Sequence, residues 1–156
     1  STKTTNESGN IEVGKLSSYG FHKYLGECIV RNFAKNYLIL RCPMILGTNL
    51  KKGPIYDILH NSRLFVNADS AFQMITTYEL AQIIYFLLSK NITKEVFNVG
   101  GKSSVILRKI TESVRKSVTF PKDGEIVKYE INVSKLGKIY PLKTSGEYLQ
   151  DFLKEL

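Results

Sequence analysis

Stretches whose apolar residues recur every three or four positions alternate along this chain with shorter runs that are apolar throughout or at every second position. That alternation constrains the chain to a mixed α/β fold. Between residues 19 and 33, Leu25, Cys28, Ile29 and Phe33 fall at helical spacing and predict an amphipathic helix. Residues 37–41 are a short apolar run stopped by Cys42-Pro43, as in a buried strand that ends where proline removes a donor. Thr76 and Glu79 make a capping-box pattern ahead of Leu80, Ile83, Ile84, Leu87 and Leu88, a strongly apolar helix. A strand over 95–99 closes on Gly100-Gly101. A helix over 105–118 carries Ile106, Ile110 and Val114 on one face, and period-two alternation over 125–131 predicts a half-buried strand. A last helix is capped by Thr144 and Glu147, with Leu149, Phe152, Leu153 and Leu156 as its apolar stripe.

At 156 residues and 43% hydrophobic, the chain has the length and composition for one domain with a real core. The polar first residues lack the charged-then-apolar layout of a secretory signal, and no run reaches the roughly 18–20 apolar residues a membrane crossing needs. A cytoplasmic protein with no membrane partner is the expectation. Cys28 and Cys42 are too few for a disulfide framework or a zinc site, so both are read as small buried apolar residues and no metal is expected. The net charge of +8 raises the question of nucleic acid. The 17 lysines, however, are scattered singly apart from Lys51-Lys52, with no basic helix face and no aromatic interleaving. A solvated surface accounts for them, and a phosphate-bearing small molecule is the specific partner the charge favours.

Tyr19-Gly-Phe-His-Lys23 is the first chemical feature. Positions i and i+4 share a helix face, so phenol and ammonium can enter one site. A phenol is a poor acid or base near neutrality, and a nearby cation favours its phenolate. The spacing alone is uninformative: nine Tyr and 17 Lys in 156 residues produce about one such pair by chance. His22, between the two, turns to another face of the helix.

The surroundings carry more. Ser17-Ser18-Tyr19-Gly20, Lys23 and Gly26-Glu27 resemble the Ser-x-Tyr-Gly-x-x-Lys-x-x-x-Glu helix of the extended short-chain dehydrogenase/reductases, the NAD-dependent epimerase and dehydratase family. The run from Leu40-Arg41-Cys42-Pro43 to Gly47 is similar to the strand and loop that follow that helix. Residues 75–81 resemble the family's Val-His-Val-Asp-Asp-Leu-Ala stretch, and Val96-Phe97-Asn98-Val99-Gly100 its Tyr-Asn-Ile-Gly strand. Four segments fall in the family's order.

The resemblance implies the C-terminal part of a Rossmann-like NAD(P)-binding fold with a small substrate-binding subdomain. Residues 1–50 would hold the catalytic helix and the following strand and loop, and 51–156 the substrate-binding subdomain and C-terminal helices. It implies Tyr19 as the general acid/base and Lys23 as the residue that lowers its pKa and holds the nicotinamide ribose of NAD or NADP. Thr2, beside Ser1, would be the third catalytic member, and Pro43 and Met44 would run along the nicotinamide. Lys51, Lys52 and Arg63 are the candidate contacts to a sugar-like substrate. A homodimer through the Tyr19 helix is implied as well.

Departures from the pattern set limits. No Gly-x-Gly-x-x-Gly follows a strand, and that loop with its helix N-terminus is what holds a pyrophosphate. The chain is therefore read as the acid/base half of an epimerase or reductase, inactive alone. Lys3 and Thr4 stand where sugar 4,6-dehydratases have Asp-Glu, which argues against water elimination. Phe72-Gln73 replaces an arginine that binds the substrate diphosphate in many relatives, and the family's acidic pair is Tyr78-Glu79 here. The alternative is a non-catalytic assembly module or truncated pseudo-enzyme of the same fold, with Leu25, Ile29 and Phe33 as the seam.

Overall fold

The computed structural model describes residues 5–116 and 118–156. Helix α1, Ser18–Phe33, begins where the Ser17 hydroxyl accepts the Gly20 amide at 3.2 Å, a standard N-cap. Strand β1, Leu38–Arg41, follows after a short connection, and β2 is Met44–Leu46. Next come α2 (Pro54–Leu59), β3 (Ala71–Phe72), β4 (Met74–Thr76) and α3 (Thr77–Ser89). The chain continues through β5 (Glu95–Asn98), β6 (Val105–Ile106), α4 (Leu107–Val114), β7 (Lys128–Tyr129), α5 (Ser134–Gly137) and α6 (Ser145–Lys154).

The sheets are small. β1 pairs with β5 in parallel, Leu38 opposite Glu95 and Arg41 opposite Asn98. β2 and β4 form a second parallel pair, and β3 lies between antiparallel β6 and parallel β7. The first pair thus draws one strand from each side of residue 50. Mixed α/β character with parallel strands is what the alternating periodicity requires.

β4 divides the core because neighbouring strand residues face opposite ways. Met74 enters a cluster with Leu46, Ile58, Leu107 and Phe152; Ile75 enters another with Ile83, Leu87, Phe97 and Tyr148. Helix α6 serves both, giving Phe152 to one and Tyr148 to the other. It lies so close to the turn after β5 that a Cβ on Gly101 would sit 2.5 Å from the Ser145 nitrogen. Only glycine fits there.

Three elements depart from the sequence expectations. The helix over 105–118 is shorter: Val105 and Ile106 pair with Phe72 and Ala71 as β6, and α4 stops where Arg115 turns left-handed at φ 51°. The strand over 125–131 shrinks to β7, because its neighbours on the 66–73 side are partly side chains. The Ser70 hydroxyl accepts from Val127 N–H at 3.0 Å, and the Gln73 amide oxygen accepts from Ile131 N–H at 2.9 Å. Thr76 caps α3 through the Glu79 amide at 3.1 Å, but the Glu79 carboxylate accepts the Tyr140 phenol at 2.8 Å instead of closing the box. Thr144 and Glu147 do form the full box on α6. Cys28 and Cys42 are only partly buried.

Phe152→Ala empties space in the larger cluster without removing a polar partner. It should lower unfolding free energy by about 3–5 kcal/mol in chemical denaturation; a loss under about 1 kcal/mol would contradict the packing described.

Candidate active site

Tyr19, Lys23, Glu27 and Arg31 lie at successive i, i+4 positions and form one row along α1. The row is anchored by its third member. Arg41 Nε donates to Glu27 Oε1 at 2.9 Å and Nη2 to Oε2 at 2.8 Å, a bidentate pair between half-buried side chains that ties α1 to the last residue of β1. Arg31 adds a looser contact to the same carboxylate at 3.8 Å. Hydrogen bonding to Glu27 holds the Arg41 guanidinium above its ordinary pKa, against the opposing effect of burial.

This pair sets the level of the row. α1 doubles back into β1 through a short connection, so Glu27 is level with the carboxyl end of the strand. At 1.5 Å rise per residue, Lys23 stands about 6 Å and Tyr19 about 12 Å further along the axis. That rise runs toward the carboxyl end of the parallel pair, the end at which open α/β sheets bind ligands. The Lys23 ammonium sits 5.5 Å from the Tyr19 ring centroid, and the phenol side chain is 73% exposed. Among the described residues Lys23 makes no ion pair.

The other sequence candidates separate. Pro43 packs at the end of β1 against Gly100, where a Cβ would meet its Cγ at 2.9 Å. Met44 belongs to β2 and packs against the larger core cluster. Lys51 and Lys52 are exposed on the loop before α2. Arg63 lines a cleft of about 580 Å³ whose other wall includes Phe120 and Lys122. Thr2 lies outside the described residues.

Gln73, which stands near the position of the family's arginine, is 1% exposed and committed to the backbone: its Nε2 donates to Gly101 O at 2.7 Å and Ile131 O at 3.1 Å. It is a structural clamp. Lys122, which shares that cleft with Arg63, carries no motif in the sequence, and a connection at Asn98 had only its polar side chain inside an apolar strand as a signal.

No protein-family model matches the chain. No curated protein matches it either. Solved structures do. Bordetella bronchiseptica WbmG, in complex with NAD and UDP, superposes with a TM-score of 0.71 at 18% identity, over 99% of this chain and 54% of that one. UDP-glucuronic acid 4-epimerase from Bacillus cereus, with UDP-glucuronic acid and NAD, gives 0.64 at 19% identity over 97% and 60%. dTDP-glucose 4,6-dehydratase from Bacillus anthracis, with NAD, gives 0.66 at 16% over 97% and 57%. This chain has their Rossmann-like fold. It spans little more than half the length of these neighbours.

Among the described residues no group of acidic, His and Cys side chains could hold a metal ion, and no helix is long and apolar enough to cross a membrane. Two partly buried groups, a thiol and a phenol, have raised pKa values. Burial pushes Cys42, next to Pro43, up to about 11, and burial with the bond to Glu79 pushes Tyr140 up to about 12. Both folded values lie above the ordinary ones of 9.0 and 10.0, so their contribution is complete at lower pH and lost as pH rises. Stability should therefore fall between about pH 9 and 12, followed by circular dichroism, and Tyr140→Phe should weaken the upper part of that fall. Identical alkaline profiles for the two proteins would contradict the Tyr140 assignment.

Proposed function

We propose that the full protein is a cytoplasmic NAD(P)-dependent epimerase or reductase of sugar-like, nucleotide-linked substrates, with Tyr19 as general acid/base. The observation that carries this is the exposed Tyr19–Lys23 pair, 5.5 Å apart, on a helix row tied by Glu27–Arg41 to the carboxyl end of a parallel β pair. Neighbouring folds solved with NAD support it.

The residues present fit part of a dinucleotide. An accessible ammonium and phenol, neither committed to another side chain through a hydrogen bond among the described residues, suit ribose hydroxyls, and Pro43 offers a rigid apolar surface at the strand end. The pyrophosphate has no glycine-rich loop here, so the proposal assigns activity to the protein with a dinucleotide-binding part and expects this chain alone to be inactive. NAD(P), when bound, supplies the hydride acceptor or donor. Lys23 favours the Tyr19 phenolate through its charge, and the Tyr19 hydroxyl oxygen holds the proton exchanged with a substrate hydroxyl. Arg63 and Lys122, facing one cleft, take the substrate's phosphates. Lys51 and Lys52 do not line that cleft. Thr2 remains part of the proposal as third member, with Met44 supporting Pro43 from β2.

Tyr19→Phe keeps the ring and removes the proton carrier. Turnover of UDP-galactose in the presence of NAD should drop about 100-fold or more with little change in KM, and unchanged turnover would sink the assignment.

A second reading concerns assembly. No residue of α1 is fully buried, and Leu25, Ile29 and Phe33 are 45%, 51% and 84% exposed at four-residue spacing. A seam between two copies would cover them. Sedimentation should give a dimer that Ile29→Asp converts to a folded monomer; a monomeric parent protein would remove this reading and leave the catalytic one standing.

A further inference from the structure

We infer that Glu7 is a positioning residue for the Tyr19–Lys23 site, which with Asn98 clasps the N-terminal segment against the carboxyl end of β5. The inference rests on the reading of that site given above, and adds a residue to which neither motif nor spacing points.

Asn98 is the last residue of β5 and 2% exposed. The β1 ladder does not use its amide, since Val99 N–H takes the Arg41 carbonyl at 2.9 Å. Asn98 N–H instead donates to Glu7 Oε1 at 2.9 Å. A carboxylate takes the place that the carbonyl of a neighbouring strand would fill. Asn98 Nδ2 donates to Thr5 O at 3.0 Å and to Asn132 O at 2.9 Å, and Asn132 N–H returns to Thr5 O at 3.0 Å. Three segments close on one buried amide side chain.

The location decides the role. Asn98 is in register with Arg41, and paired residues of a parallel ladder present their side chains on the same face. That face is the one on which Arg41 meets Glu27 of α1. Thr5 therefore meets Asn98 on that face, and Glu7 closes the free edge of β5 at its carboxyl end. The Glu7 charge also acts on Arg41, adding to the hold of Glu27 on the guanidinium. From Glu7 the chain runs ten residues to the Ser17 cap of α1, so it is pinned at the sheet and again at the helix start. The clasp thus acts on the site through Arg41, which anchors the Tyr19 row, and through the approach to the helix that carries Tyr19.

A hydrogen bond to a charged acceptor in this setting is worth enough for a clear local signal. In Glu7→Ala, amide exchange read by NMR should speed up about tenfold or more at Asn98 and Asn132, with Val96 and Phe97 unchanged. In the full enzyme, with NAD and UDP-galactose as probes, Glu7→Ala should cut kcat about tenfold while KM stays within about twofold. Glu7→Gln, which keeps an accepting oxygen, should restore most of both. Unchanged exchange at Asn98 would overturn the clasp, and faster exchange with unchanged kcat would overturn the positioning role. Tyr19→Phe with full turnover would fell the site reading instead, while the exchange result would still decide the clasp.

Discussion

The Arg41–Glu27 pair is the interaction on which the placement of the site depends. α1 buries no residue fully, so little apolar packing fixes its height or rotation. Two parallel hydrogen bonds of 2.9 and 2.8 Å to a rigid guanidinium do so with a geometry a lysine could not supply. Because Arg41 ends β1, the pair ties the helix to the carboxyl edge of the strands, and the Tyr19–Lys23 step follows in the same row toward the helix N-terminus. The two family-like segments quoted from the sequence, the Tyr-to-Glu helix and the Leu-Arg strand, are the two ends of this one contact.

The rest of the molecule supports that edge from below. β4 sends alternate residues into two clusters, and α6 spans both, so the parallel pairs are held by packing although each has only two strands. Such pairs are marginal by themselves. Gln73 and Asn98, both nearly fully buried, bind separate segments of backbone to the same region through four hydrogen bonds in which side-chain amides donate. Buried amides of this kind specify one arrangement, because each lost bond leaves a desolvated partner.

Much of this was legible in the sequence where periodicity and caps coincide. α1, β1, α3, β5 and α6 stand within a residue or two of the expected bounds, and the expected caps Thr76 and Thr144 begin α3 and α6. The misreadings share a cause. At 105–118 an apolar face of helical spacing also satisfied β pairing for its first two residues, and tertiary pairing with β3 won. At 125–131 a strand pattern met side-chain acceptors from Ser70 and Gln73, which no local pattern encodes. For the site, Tyr19 and Lys23 could be picked out only through the family-like segments around them, because their i, i+4 spacing is no more than chance produces. The Arg63–Lys122 cleft and the Glu7–Asn98 contact join residues 59 and 91 positions apart, a separation over which a single sequence carries no spacing signal.

As proposed above, the Tyr19–Lys23 row forms the acid/base edge of a dinucleotide site. A crystal structure of the full-length protein with NAD bound tests it most directly. The Lys23 ammonium should lie within hydrogen-bond reach of the nicotinamide ribose, with the Tyr19 hydroxyl open beside it. NAD bound elsewhere, with neither side chain touching it, would overturn that assignment.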